Sequence, residues 1–135
     1  MPVIYTIDVP SALIVTRCVG HVTLAEVRDH FRELARVWPP VERLNVLLDL
    51  TEQTSLPTLR ELEGVAAEIT AQLGPSPFGR CAVITEQDSL FESMEMFQVL
   101  VGHFFEKMEI FRTSSAAIAW MAPTTPNARQ SLTKQ

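Results

Sequence analysis

The segment Arg43–Glu63, RLNVLLDLTEQTSLPTLRELE, decides the architecture. Leu44, Val46, Leu47 and Leu48 form an apolar run that reads as a buried strand, Asn45 to Leu50, ending where Asp49 and then Thr51, Thr54 and Ser55 enter. A helix follows. Thr58 and Glu61 stand at capping-box spacing, and Leu59, Leu62, Ala66, Ile69 and Leu73 recur at steps of three and four. A strand that empties into a helix N-terminus leaves backbone N–H groups and hydroxyls at one edge of a sheet, where open α/β proteins hold ligands.

Towards the N-terminus, Val3 to Asp8 and Leu13 to Gly20 are rich in Val, Ile and Thr, and the four residues between them force an antiparallel hairpin. Thr23 and Glu26 repeat the capping-box spacing. Leu24, Val27, Phe31, Leu34 and Trp38 then trace an amphipathic helix stopped by Pro39-Pro40. Towards the C-terminus, the breaker cluster from Gly74 to Gly79 precedes a strand, Arg80 to Thr85. A third helix is predicted from Ser89, capped with Glu92, to about Lys107, then a strand from Met108 to Arg112. Thr113 or Ser114 caps a last helix, Ser115 to Met121. The order is β-β-α-β-α-β-α-β-α: one α/β domain over 1–121, with a mostly parallel, mixed five-stranded sheet and helices on both faces. Residues 122–135 carry two prolines and few apolar residues, and are expected to be a flexible tail.

The 135 residues suffice for one buried core without disulfides or metals. A formal charge of −5 argues against a nucleic-acid partner, which needs a basic face. No apolar run approaches the roughly 20 residues that span a bilayer, and Met1-Pro2-Val3-Ile4-Tyr5 does not resemble a signal peptide, so a cytoplasmic location is expected. Cys18 and Cys81 lie inside strand-like runs without CxxC spacing and read as reduced core residues.

Asp49, Thr51, Thr54, Ser55 and Thr58 crowd the junction between the central strand and its helix. Such a group can bind an anion, accept a phosphoryl group, dock a partner, or cap the helix. Glu26, His30 and Glu33 share one helix face, and His103 with Glu106 repeats an i, i+3 spacing, but neither set has the pattern of a metal site. No nucleophile motif, Gly-rich phosphate loop or paired acid and base is present, so neither a cofactor nor a catalytic role is expected. On the third helix Leu90, Met94, Phe97, Val101, Phe104 and Met108 form the core stripe, widened by Phe91, Leu100 and Phe105. Met96 and Val99 fall outside it and are candidates for a dimer contact or a membrane-facing patch.

The pattern resembles the SpoIIAA-like group of the STAS superfamily, whose fold is often compared with lipid-binding CRAL-TRIO domains. The resemblance rests on Val19-Gly20-His21-Val22-Thr23, Leu47-Leu48-Asp49-Leu50-Thr51, Gly79-Arg80-Cys81-Ala82-Val83-Ile84 and Ile110-Phe111-Arg112 with Trp120-Met121. STAS antagonists carry a phosphorylatable Ser or Thr after the central strand in an Asp-Ser-Ser/Thr-Gly setting. Here the residues after Asp49 are Leu50-Thr51-Glu52-Gln53-Thr54-Ser55, without the glycine. The resemblance implies the fold and a non-catalytic role. The first reading is a non-enzymatic regulatory module, a homodimer through the extra apolar residues of the third helix, with a protein partner docking at Asp49 to Thr58 and Thr51, Thr54 or Ser55 as candidates for phosphorylation. The second reading is a carrier or peripheral membrane binder of an apolar, lipid-like molecule. Its cavity would lie between the sheet and the helices of 57–73 and 89–107, lined by Phe91, Met94 and Phe105.

Overall fold

The computed structural model describes residues 2–40, 43–74 and 77–122, so the predicted tail beyond Ala122 lies outside the described residues. The elements are β1 (Val3–Asp8), β2 (Leu13–Gly20), α1 (Leu24–Arg36), β3 (Leu44–Gln53), α2 (Leu59–Leu73), β4 (Phe78–Ile84), α3 (Asp88–Val101), β5 (Lys107–Phe111) and α4 (Ser114–Met121). They form one five-stranded sheet in the order β1-β2-β3-β4-β5. β1 pairs antiparallel with β2, and the other pairs are parallel. Ala12, at φ 51°, turns the hairpin and donates its N–H to the Val9 carbonyl at 3.0 Å.

The step direction distributes the helices. Each crossover, β2 to β3, β3 to β4 and β4 to β5, moves one strand the same way, and right-handed connections then place α1, α2 and α3 on a single face. The main core lies there, with Ile14, Leu34, Leu44, Ile69, Val83, Leu90 and Val101 essentially inaccessible. α4 alone takes the opposite face, where Ala117 packs against Ala82 and Ile84. Arg80 reaches across to the Trp120 carbonyl at 3.1 Å, with its guanidinium over the indole ring.

Most boundaries fall within two residues of those predicted, and the larger differences are at β3 and α3. β3 continues three residues past Leu50 to Gln53, because β2 runs beside it: Val19 pairs with Glu52 and Gly20 with Gln53. Asp49 and Thr51 are therefore strand residues. α3 begins one residue early, its N-cap is Gln87, and neither Ser89 nor any other side chain caps it. It ends at Val101, since Gly102 opens a single 3-10 turn, Gly102–Phe104, and Lys107 already belongs to β5. Phe104 and Met108 are buried as expected, although neither lies on the helix. The capping boxes at Thr23 with Glu26 and at Thr58 with Glu61 are both formed, and Thr113 caps α4.

Candidate binding cavity

The two parallel crossovers α1 and α2 stand side by side over β2 and β3, and the space beneath them is not filled. Alternate residues of the strands, Ile14, Thr16 and Cys18 on β2 and Val46, Leu48 and Leu50 on β3, form its floor. Val27, His30, Phe31 and Leu34 from α1 and Leu62, Val65 and Ile69 from α2 form its walls. Phe78 and Phe105 stand at its edge, stacked at 4.8 Å between ring centroids. The cavity is partly open, with a volume of about 140 Å³. A cavity of this size with an aliphatic and aromatic lining holds one benzene-sized molecule. Outside it, Arg28 and Arg32 of α1 both reach Glu68 of α2, at 3.5 and 3.8 Å, and tie the two walls together.

The connection singled out from the sequence, residues 54–58, closes over one end of this cavity, with Pro57, Gln53, Thr23 and Glu61 on the lining. It is laced to its surroundings. The Ser55 hydroxyl accepts the Val22 N–H at 3.0 Å, which joins this connection to the one between β2 and α1. The Thr54 N–H is donated to the Gly20 carbonyl at 2.9 Å. Gln53 is buried: its side-chain amide donates to the Ser55 carbonyl at 3.0 Å, and its own carbonyl accepts from the Gln87 amide at 2.8 Å.

The five candidate residues thus share one end of the sheet without converging on a common point. Asp49 accepts both the backbone N–H and the hydroxyl of Thr51, at 3.0 and 2.7 Å. Ser55 holds Val22, and Thr58 caps α2, so four of the five are engaged in local structure. Thr54 is exposed. Of the proposed pocket residues, Met94 and Phe105 line the cavity. Phe91 does not: its ring lies beneath the Arg112 guanidinium, 4.4 Å from it. The helical wall that the sequence reading left out is α1, whose stripe was visible but whose side of the sheet was not. Two further residues were missed: Leu56 and Leu59, on and beside the connection, are 50 % and 53 % exposed. Leu59 recurs at the helical spacing of the α2 stripe but does not enter the core.

His30 is half-buried, whereas His21 and His103 are exposed. Its Nδ1 has no hydrogen-bond partner among the described residues, and burial pushes its pKa down to about 4. Its expected carboxylate neighbours are used elsewhere, Glu26 in the cap of α1 and Glu33 by Arg36 and the Tyr5 hydroxyl. No group of His, Cys, Asp and Glu able to share a metal ion occurs among the described residues. Cys18 and Cys81 are free and buried, their thiols pushed up to about 11 and about 12 chiefly by desolvation. Such thiols remain protonated and unreactive at neutral pH. On α3, Met96 and Val99 are exposed. No helix among the described residues is long and apolar enough to cross a membrane.

The sequence pattern of the family described as SpoIIAA-like matches residues 13–122. No curated protein matches the chain. Among solved structures, the chain is similar to an uncharacterized protein from the DUF3478 family with a SpoIIAA-like fold, from Shewanella loihica PV-4. The TM-score is 0.64 at 14 % identity, covering 89 % of this chain and 94 % of that one.

Proposed function

The chain belongs to the SpoIIAA-like family, and from this premise we propose that it is a non-enzymatic binding module that takes up a small apolar molecule between its sheet and helices α1 and α2. The observation that carries this reading is the unfilled, apolar cavity of about 140 Å³. Protein interiors are normally packed to the density of organic crystals, and a void of this size forfeits contacts that its lining would otherwise make. A guest restores them. At about 0.7 kcal/mol per non-hydrogen atom, within the range for small ligands, a one-ring hydrocarbon would bind with a Kd on the order of 0.2 mM.

Titration with toluene, followed through the methyl resonances of Ile14, Val46, Leu62 and Ile69, tests the reading. Saturable shifts confined to these groups are expected for the wild type. In Val65→Phe, where a ring occupies the space, the shifts should vanish while the protein stays folded. Toluene binding that survives this substitution, or a wild type that never responds, would rule the cavity out as the site. Native mass spectra of protein purified from its own host without detergent would then supply the mass of the natural guest.

A second reading, a regulatory partner docking on the connection between β3 and α2, draws support from the exposure of Leu56 and Leu59 there. Thr54 is its remaining candidate for phosphorylation, because the other hydroxyls are engaged. A partner recovered with the wild type should be lost from the double variant Leu56→Ser, Leu59→Ser and retained by Val65→Phe. Equal recovery with all three proteins would place docking elsewhere.

A further inference from the structure

The floor of the cavity carries a hydroxyl that packing alone does not call for. Thr16 lies in the middle of β2, between Ile14 and Cys18 on the same face, and the strand register sets it beside Tyr5 of β1 and Leu48 of β3. It is 4 % exposed, and its hydroxyl has no hydrogen-bond partner among the described residues. The oxygen is nevertheless open. Among the described residues, the unpartnered side-chain atom that is sealed off completely is His30 Nδ1, which no guest can reach, whereas Thr16 keeps its small accessible area on the cavity floor. Thr23, Glu61 and Gln53 stand instead at the end of the cavity, under residues 54–58, and each is used locally: the first two in the helix caps, and the Gln53 amide on the Ser55 carbonyl. A valine would fill the place of Thr16 without a hydroxyl to desolvate. An open, unpaired hydroxyl in an apolar pocket is the group that a ligand's polar atom is placed to meet.

We infer that the guest of this cavity is a small neutral molecule with a compact apolar body and one hydroxyl or carbonyl oxygen, and that this oxygen bonds to Thr16 Oγ1. The inference rests on the reading of the cavity as a binding site and names its ligand class. The Thr16 hydroxyl donates to either kind of oxygen and can also accept from a hydroxyl. The body of the guest then faces the aliphatic walls, Leu34, Leu62, Val65 and Ile69. An anion does not fit. The lining holds no Lys or Arg, burial keeps His30 uncharged at neutral pH, and the carboxylate of Glu61 would repel a second one. A plain hydrocarbon would fill the volume and leave the Thr16 hydroxyl covered and unmet.

Toluene and phenol have the same number of non-hydrogen atoms and nearly the same shape, so the ratio of their affinities isolates the hydroxyl. Thr16→Val keeps the β-branched shape that suits a strand and removes only the hydrogen-bonding group. In passing from the wild type to this variant, phenol is expected to lose at least about five-fold relative to toluene: its hydroxyl is then buried without a partner, while toluene no longer covers an unmet one. Comparing the change in the ratio cancels the different solubilities of the two probes in water. Thr16→Ser, which retains the hydroxyl, should retain the preference for phenol. A ratio that is the same in the wild type and Thr16→Val, or one that falls equally in Thr16→Ser, overturns the inference and leaves the cavity reading standing. Failure of the wild type to bind either probe overturns both.

Discussion

Phe78→Ala is expected to cost about 3–5 kcal/mol of folding stability, the range for removing a fully buried aromatic ring. Phe78 opens β4 and is 2 % exposed. Its ring is stacked on Phe105 and tilted against Trp38 at 5.9 Å, so it joins the ends of α1 and α3 to the sheet. It also stands at the edge of a cavity that is already unfilled, so its removal enlarges an existing void that the neighbouring rings cannot readily close. Urea unfolding monitored by circular dichroism should show a lower midpoint with an unchanged slope. Saturating toluene should return part of the loss by mass action. A cost below about 1 kcal/mol would mean that the site collapses around the missing ring, and the claim that Phe78 bounds the cavity would fail.

Lowering the pH from about 6.5 to about 4 is expected to remove on the order of 3 kcal/mol of stability through His30 alone. The unfolded chain protonates this histidine near 6.5, whereas burial holds its folded-state pKa down to about 4. Between those values the unfolded state binds the extra proton, so stability is fully present above 6.5 and declines as the pH falls; below 4 this group contributes no further loss. The rings of Tyr5 and Phe31 face His30, and Glu33 lies one turn along the same helix, bonded to Arg36 and Tyr5. Carboxylates such as Glu33, whose pKa is lowered by its hydrogen bond from Arg36, add their own acid sensitivity. For that reason the difference between the wild type and His30→Leu is the quantity to measure. Parallel stability curves for the two proteins from pH 4 to 6.5 would show that His30 is not buried in its neutral form.

What could be read locally in the sequence was read well. Thr23 with Glu26 and Thr58 with Glu61 mark helix starts through atoms three residues apart, and both boxes form. The strand runs of β1 and β2 carry the same boundaries in the structure. The failures at β3, Ser55, His30 and the cavity share a cause: each depends on a partner far along the chain. β3 looked finished at Leu50 because Asp49 and Thr51 favour turns, yet pairing with Val19 and Gly20 of β2 carries it to Gln53. Ser55 looked like an outward hydroxyl, but it is bound to Val22, 33 residues away. His30 sits where a solvated helix face was drawn and is half-covered because β1 brings Tyr5 against it. The α1 wall of the cavity follows from the strand order, which no helical stripe reveals by itself. Had the uniform direction of the three crossovers been recognised, all three helices would have been placed on one face.

That same strand order bears on synthesis. Val15 pairs with Leu47, Leu47 with Ala82 and Ala82 with Glu109, so each parallel contact closes a loop of roughly thirty residues, a modest entropic cost for a parallel sheet. No strand must be threaded between two that have already joined. As the chain leaves the ribosome, each strand and helix can settle on an edge that is already complete, and the sheet lengthens in the direction of translation.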